Sequence, residues 1–220
     1  MVCAHAENKG KVILTNEVVK EIAQKHITSY DKGGEMHYDI ISAFIKSIRG
    51  SDPNAAVYWL ARMVEGGEDP KFIARRLVIL AAEDIGLANP NALVLANSCF
   101  QAIEKIGWPE SRIILSEASI YLANSAKSNS AYKAIGLAQE EVRKSGDLSV
   151  PLHIRNAPTK LMKELGYGKD YKYSHNFEEG FVDQDYVPEE LKDKIFYEPG
   201  NNQREEQMKE FLKVRWKKYK

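Results

Sequence analysis

The sequence predicts an all-α fold, in which a helical array or bundle is followed by a loop-rich C-terminal part. Four dipeptides that favour a helix start recur at intervals of 17, 20 and 19 residues: Asp52-Pro53, Asp69-Pro70, Asn89-Pro90 and Trp108-Pro109. Proline suits the first helical position, and a preceding Asp or Asn can accept a hydrogen bond from the first turn. Trp108 cannot accept one, so the fourth start is the weakest. Glycines follow each apolar run as helix stops: Gly50, Gly66-Gly67, Gly86 and Gly107.

Apolar residues at helical spacing define five consecutive helices of the array. The core positions that this spacing predicts are, helix by helix, Ile40, Ile41, Phe44, Ile45 and Ile48; Ala56, Trp59, Leu60 and Met63; Phe72, Ile73, Leu77, Leu80 and Ala81; Leu93, Ala96, Phe100 and Ile103; Ile113, Ile114, Ala118, Tyr121 and Leu122. Burying one large apolar side chain contributes about 1.5–3 kcal/mol. Five such helices therefore suffice to hold a bundle.

Further elements flank the array. An amphipathic helix is predicted over residues 15–28, and the polar residues 29–34 form a hinge or linker. Residues 129–142, with Tyr132, Ile135 and Ala138, give a sixth array helix. After Ser145-Gly146 the chain becomes rich in proline, glycine and tyrosine, which predicts loops around one short helix near residues 158–165 and a terminal helix over 203–216.

Composition excludes several classes of protein. The 220 residues are 44% hydrophobic and 28% charged, as in ordinary globular proteins. The net charge is zero, with 31 basic and 31 acidic residues, which argues against a protein that coats nucleic acid. No apolar run approaches the roughly 20 residues that span a bilayer, and no signal peptide is evident, so we expect a cytoplasmic location and no membrane partner. Cys3 and Cys99 form neither a disulfide framework nor a metal cluster.

The sequence contains none of the common catalytic or cofactor-binding motifs. It has neither the G-x-x-x-x-G-K-[ST] phosphate loop nor G-x-G-x-x-G, so we expect that this chain alone does not hydrolyse ATP. The five histidines lack the spacing of a zinc site, and no nucleophile elbow occurs. We therefore predict no catalytic residue, no metal ligand and no cofactor for this chain.

Two adjacent carboxylates, Glu83 and Asp84, interrupt an apolar helical run. Paired carboxylates can serve acid–base or metal chemistry. Arg75 and Arg76 lie about two turns earlier on the same helix, and desolvated carboxylates need such partners. We favour structural ion pairs over an enzyme that works through Glu83, Asp84 or His153.

The polar segment 150–167 and the turn before the sixth array helix are the strongest candidates for a binding surface. Their donors suit phosphate oxygens, and several lie near helix starts. The alternative is that these polar groups bond the backbone of neighbouring helices. The candidate residues are Lys127, Ser128 and Asn129 in the turn, and His153, Arg155, Asn156, Thr159, Lys160 and Lys163 in the segment.

Four long stretches carry a family resemblance. They are YDKGGEMHYDIISAFIKSIRGSDPNAAVYWLARM (30–63), GGEDPKFIARRLVILAAEDIGLANP (66–90), YLANSAKSNSAY (121–132) and HIRNAPTKLMKELGYG (153–168). In these stretches the chain resembles the RarA/MgsA family of replication-associated recombination proteins, which are related to the eukaryotic Werner-helicase-interacting protein. Residues 1–10 fall outside the resemblance.

The resemblance implies that nucleotide binding and subunit association belong to different domains of the full-length protein. In that family an AAA+ ATPase domain carries the phosphate loop, a small helical lid follows, and a helical domain of the clamp-loader C-terminal type then holds the subunits together. On this basis residues 1–29 are the end of the lid, 30–145 the helical oligomerisation domain, and 146–220 a loop-rich C-terminal extension that packs on it. ATP and magnesium are expected for the full-length protein only.

The resemblance also implies partners and a place of action. We expect a homotetramer that serves DNA replication, repair and recombination near the nucleoid and the replication fork. DNA ends, junctions or forks are expected to bind through the full-length protein, and single-strand-binding protein is a further expected partner. The candidate residues above would face DNA or the ATPase domain. The alternative function is a stand-alone helical DNA-binding or adaptor module.

Overall fold

The computed structural model describes residues 7–8, 11–12 and 35–219, with side chains from residue 37 onward. Eight α-helices occur in this part of the chain: α1 (Glu35–Arg49), α2 (Pro53–Glu65), α3 (Pro70–Leu80), α4 (Asn91–Ile106), α5 (Ser111–Ala123), α6 (Ser130–Ser145), α7 (Lys160–Glu164) and α8 (Gln203–Arg215). The predicted all-α fold is therefore confirmed.

One small β-hairpin, which the sequence did not predict, precedes the helices. Strands β1 (Glu7–Asn8) and β2 (Lys11–Val12) pair antiparallel, with Glu7 opposite Val12 and Asn8 opposite Lys11. The helix predicted over 15–28 and the linker over 29–34 lie outside the described residues. No helix within 35–219 is both long enough and apolar enough to cross a bilayer.

Two of the predicted helix starts have the expected cap. The Asp52 carboxylate accepts a hydrogen bond from the Ala55 N–H at 2.9 Å, and Asp69 accepts one from the Lys71 N–H at 3.0 Å. Each satisfies an amide that the first turn would otherwise leave unpaired. The fourth start differs, because α5 begins at Ser111, two residues after the cis Trp108–Pro109 peptide.

The first compact unit comprises the described parts of Met1–Ala81 and Asn91–Ser125. Helix α5 is central to it and packs against α1, α2, α3 and α4, while α1 also packs on α2 and α3 on α4. The largest fully buried apolar side chains of this unit are Phe44, Ile48, Met63, Ile73, Leu77, Leu80, Ile103, Leu115 and Leu122.

Several residues that the spacing placed in the core lie elsewhere. Trp59 is only half-buried, and Leu93 and Ile113 are 43% and 60% exposed. In α5 the buried large residues are Leu115 and Leu122, with small residues between them. Because α5 carries apolar residues around its whole circumference, helical spacing fits more than one face: the predicted Ala118 and Leu122 are buried, but Ile113 is not.

The second compact unit comprises Ala82–Pro90 and the described part of Ala126–Lys220. Helix α3 passes into a π-helical turn at Ala81–Ile85, and a 3₁₀ turn follows at Gly86–Ala88. Helices α6 and α8 both pack against this 3₁₀ turn. The loop-rich region predicted after residue 146 is present as short 3₁₀ turns around α7. The domain boundaries at 29/30 and 145/146 stay predictions.

Candidate interaction site

The predicted turn Lys127-Ser128-Asn129 packs tightly against the π-helical turn of its own unit. The Ser128 N–H donates to the Asp84 carbonyl oxygen at 2.8 Å. Gly86 has a φ of +48°, and a Cβ on it would lie 3.0 Å from the Ser128 carbonyl oxygen. A side chain at Gly86 would therefore meet both backbone strain and a backbone atom.

A buried carboxylate, Glu205, fastens the same turn to the start of α8. Glu205 has no exposed surface and accepts hydrogen bonds from the Ser130 hydroxyl and the Asn202 side-chain amide. Ser128 donates in turn to the Ser130 hydroxyl oxygen at 3.0 Å. Asn202 also caps α8, since its side-chain oxygen accepts from the Glu205 N–H at 3.1 Å. Glu205 was not predicted as a site residue, although Asn-x-x-Glu before a helix resembles a capping box.

The hydrogen bonds keep Glu205 ionised in spite of its burial. Burial opposes ionisation, but donors from Ser128, Ser130, the Gly200 backbone and Asn202 outweigh it and lower the pKa of Glu205. Burial and the Glu205 charge also raise the pKa of the Tyr197 phenol to about 12. The Tyr197 hydroxyl, 3.4 Å from the Glu205 carboxylate, therefore stays a donor.

A shallow cavity of ≈ 330 Å³ lies beside this cluster, between the turn, the first part of α6 and the segment before α8. Its charged and amide lining residues are Lys127, Asn129, Lys133, Glu198 and Asn201. Burial lowers the pKa of the Lys127 amine, and the Asp84 charge opposes that shift. Two amines and two amides suit an acidic partner surface or a phosphate. The cavity is therefore a candidate binding surface, and this role stays a prediction.

In the second predicted segment, His153 and Arg155 bond to their own unit. The His153 ring Nε2 lies 2.7 Å from the Asp185 carbonyl oxygen. Arg155 donates to the Val150 carbonyl oxygen at 2.6 Å and to the Tyr167 hydroxyl at 3.2 Å, with its guanidinium 5.1 Å from the Tyr167 ring centre. These contacts favour the alternative interpretation, in which the polar groups of segment 150–167 bond to neighbouring parts of the chain.

The rest of that segment is exposed. Thr159 caps α7 by accepting from the Met162 N–H at 3.3 Å, and Asn156 is exposed. The Lys160 side chain is 92% exposed, 4.0 Å from Glu164, and Lys163 is exposed as well. The contacts described for this segment include those of His153 with Asp185 and of Arg155 with Tyr167, whereas those of the Lys127-Ser128-Asn129 turn include Asp84 and Ser130. The structure thus holds two separate candidate surfaces, and their DNA- or ATPase-facing role stays a prediction.

The four residues of the predicted ion-pair network fall in different compact units. Arg75 lies over the Phe72 ring at 5.9 Å, and the Arg76 Nε is buried with no hydrogen-bond partner among the described residues. Glu83 and Asp84 lie in the π-helical turn, where Asp84 is buried. The predicted pairing stays a prediction. Residues 37–219 contain no cluster of histidine, cysteine, aspartate and glutamate that could hold a metal ion.

The first unit has an apolar groove on its surface, here called the α2–α5 groove. It has a volume of ≈ 540 Å³ and is lined by Val57, Leu60, Ala61, Val64, Ile113 and Ser116, with Glu65, Arg112 and Glu117 as charged members. Ile113 is 60% exposed, and Ile120, two turns farther along α5, is 43% exposed. The sequence pattern placed Ile113 in the core, but residues 37–219 leave it in contact with solvent.

Helix α6 of the second unit is also poorly covered. Only Ser130 is buried along its 16 residues. Tyr132, Ile135 and Val142 are 59%, 58% and 61% exposed, although the first two were predicted as core residues. Large apolar side chains at helical spacing that face solvent mark sites of protein association.

Comparison with known proteins gives a consistent result along the whole chain. Residues 50–216 match the family described as "MgsA AAA+ ATPase C terminal", and residues 1–49 match "AAA C-terminal domain". Replication-associated recombination protein A of Coxiella burnetii is 45% identical over 207 residues, which cover 94% of this chain and 47% of that protein.

Other relatives show the same partial coverage. The protein of the same name from Bacillus subtilis is 48% identical over 190 residues, 86% of this chain and 45% of the relative. ATPase WRNIP1 of Dictyostelium discoideum is 45% identical over 188 residues, 85% of this chain and 22% of the relative. The chain therefore spans less than half the length of these relatives.

Proposed function

Since the chain belongs to the RarA/MgsA family of AAA+ ATPases and matches its C-terminal helical region, we propose that it is the self-association module of a replication-fork ATPase. In this proposal four copies assemble through their helical domains. The assembly holds four ATPase domains near DNA ends, junctions or forks.

The observation that carries the proposal is the α2–α5 groove. Its apolar lining and the 60% exposure of Ile113 leave a surface that the described residues of one chain do not cover. Burying exposed apolar surface is the main favourable contribution to protein association. A second copy of the same chain is the occupant that a homo-oligomer supplies.

The charges of the groove are compatible with self-association. Arg112 lies beside Ile113, and Glu117 lies one turn farther along the same face of α5. A two-fold axis places the same patch on both copies, with residue i against residue j and j against i. Arg112 of one copy can then meet Glu117 of the other at both ends of the contact.

The catalytic and DNA-binding functions belong to the longer protein in this proposal. The chain carries no phosphate-binding loop, so ATP and magnesium would bind in the region that the longer relatives possess beyond the matched part. DNA, and single-strand-binding protein as a further partner, would engage the assembled protein. The module itself determines how many ATPase domains the assembly brings together.

Light scattering of wild-type and variant chains tests this proposal. We expect the wild-type chain to elute as a tetramer, and Ile113→Lys to elute as a smaller species because a charge at the groove cannot be buried without cost. Gln101→Lys, an exposed position on α4, is the matched control and should leave the mass unchanged. A wild-type chain that stays monomeric at micromolar concentration would overturn the proposal.

A direct DNA contact by this module is a second candidate function. The exposed Lys160 and Lys163 favour it, since both are on α7 and neither is covered by its own unit. Lysines of this kind contact phosphates without reading the base sequence.

Fork-DNA binding across a salt series tests this second candidate. We expect Lys160→Ala/Lys163→Ala to weaken binding and to lower the magnitude of the salt slope by about one to two, with an unchanged thermal midpoint. Lys144→Ala, on the exposed side of α6, is the control. Equal affinity of the double variant and the wild type would remove α7 from the DNA contact.

A further inference from the structure

One side of helix α6 packs against its own unit. Ala134, Ala138, Glu141 and Ser145 are half-buried, and Glu141 pairs with Lys194 at 3.0 Å. At about 100° per residue, these positions lie on one side of the helix and Gly136 lies on the opposite side. Gly136 is therefore on the most outward line of α6.

A glycine at this position has no explanation within the chain. A Cβ added to Gly136 would meet nothing within 4 Å among the described residues, and Gly136 does not have a positive φ. Glycine in the middle of a helix is less favourable than alanine. Its use is then to let another backbone or side chain approach closely.

The missing side chain leaves a concavity on the helix surface, here called the Gly136 notch. It has a volume of ≈ 410 Å³, and its walls all come from α6: Tyr132, Lys133, Ile135, Leu137, Gln139 and Glu140. Tyr132 and Ile135 are 59% and 58% exposed, so the notch is apolar on one side. A second helix that crosses α6 at Gly136 could contact both Tyr132 and Ile135.

Charges of opposite sign flank the notch. Lys133 precedes Gly136 by three residues and Glu140 follows it by four, so both lie on the outward side of the helix. If two copies of α6 run antiparallel through a two-fold axis at Gly136, Lys133 of each copy meets Glu140 of the partner subunit. The pattern is complementary to itself, which favours a second copy over an unrelated helix as the occupant.

We propose that two copies of this chain cross at α6, with Gly136 at the two-fold axis. The inference rests on the proposed self-association and specifies one of its contacts. A closed tetramer with two-fold symmetric contacts needs two different faces on each subunit. The Gly136 notch is the second face, and the α2–α5 groove is the first.

Substitution of Gly136 separates association from folding. Leucine at this position fills open space and favours the helix, so we expect the thermal midpoint of dilute Gly136→Leu to match or exceed that of the wild type. We also expect the variant to sediment as a dimer, because the α2–α5 groove remains intact. Gln101→Leu, which adds the same side chain to the exposed side of α4, should remain a tetramer.

A charge exchange tests the antiparallel arrangement without a change of volume at Gly136. Lys133→Glu alone and Glu140→Lys alone place like charges together at both ends of the contact, and each should weaken association. Because Glu140 also pairs with Lys144 in its own helix at 2.6 Å, the thermal midpoint of each variant in dilute solution serves to separate a loss of helix stability from a loss of association. The double variant restores opposite charges and should recover the wild-type mass. If the double variant is as weakened as the single variants, Lys133 and Glu140 do not face each other and the proposed register is wrong.

Cross-linking locates the axis directly. In a Cys3→Ser background, Gly136→Cys should give a disulfide-linked dimer under mild oxidation, because two cysteines at a two-fold axis lie within bonding distance. Lys144→Cys, two turns away, should not. A tetrameric wild type with no cross-link and a tetrameric Gly136→Leu variant would overturn this inference and leave the proposed function standing. A monomeric wild type would overturn both.

Discussion

Glu205 and the side chains bonded around it, Ser128, Ser130 and Asn202, join the turn before α6 to the start of α8. The Glu205 carboxylate accepts from Ser130 at the start of α6 and from Asn202 before α8, and the Ser128 hydroxyl bonds to Ser130. A fully buried charge is tolerated only where hydrogen bonds replace its hydration. At this site they do, so the cluster fixes the predicted Lys127-Ser128-Asn129 turn rather than leaving it as a mobile loop.

Removal of the Glu205 carboxylate tests how much it contributes to the stability of the folded chain. We expect Glu205→Ala to lower the free energy of unfolding by about 3 kcal/mol, because several donors lose a charged acceptor and stay buried. Urea unfolding measures the change. Glu206→Ala, the exposed neighbour in the same helical turn, should change it by no more than about 0.5 kcal/mol. Equal effects of the two variants would contradict the assigned role.

The same residue gives the stability a dependence on pH with a definite sign. Because folding lowers the pKa of Glu205, its stabilisation is complete above the unfolded-state pKa of about 4.3 and disappears as the pH falls through the folded-state value. The stability difference between the wild type and Glu205→Gln should therefore be constant near neutral pH and shrink in acid. A difference that grows in acid would contradict a lowered pKa.

Some residues of this cluster could have been found from the sequence, and others could not. Asn202 and Glu205 have the spacing of a capping box at the predicted start of the terminal helix. The bonds from Glu205 to Ser130 join residues 75 positions apart, and no local pattern signals such a pairing. Likewise, exposed lysines such as Lys160 were predicted as candidates, but the inward bonding of Arg155 depends on Tyr167 and Val150.

At the scale of elements, α5 illustrates both the strength and the limit of helical spacing. Its existence and approximate start followed from a glycine stop and an apolar run. Its buried side followed only in part: Ala118 and Leu122 are buried as predicted, but the spacing chose Ile113 where Leu115 is buried, since the helix has apolar groups on all sides. Only contacts with the four neighbouring helices determine that Leu115 is fully buried while Ile113 is mainly exposed.

The two residues of α5 should therefore respond differently to truncation. We expect Leu115→Ala to lower the free energy of unfolding by about 2–5 kcal/mol at every protein concentration, because it leaves a core cavity. Ile113→Ala should lower the thermal midpoint only in concentrated samples, where association stabilises the folded wild type. Thermal unfolding over a range of protein concentrations measures both. The same loss for both variants in dilute solution would place Ile113 in the core.

The transition after α3 lies beyond what sequence patterns predict. Asp69-Pro70 correctly marked the start of α3, and Gly86 correctly marked a stop. The π-helical turn at Ala81–Ile85 has no sequence signature of this kind, because no turn residue such as glycine or proline marks it. Such turns often lie at functional sites, and this one bonds the predicted Lys127-Ser128-Asn129 turn through Asp84.

For the whole molecule, the family resemblance read from four long stretches is confirmed by the family matches and by relatives 40–49% identical to the chain. The helical fold followed from local signals and is confirmed too. Assembly could not be read from the sequence in the same way, since an apolar stripe looks alike whether it faces the core or another subunit. The structure leaves Ile113, Tyr132 and Ile135 exposed, and this exposure supports the proposed contact between copies.

The central claim is that these exposed helical faces join copies of the chain. Sedimentation equilibrium of the wild-type 220-residue chain over a range of concentrations tests it most directly. We expect a species with four times the chain mass of 24.9 kDa, which dissociates on dilution through a dimer. A single species of 24.9 kDa at every concentration up to the micromolar range would contradict it.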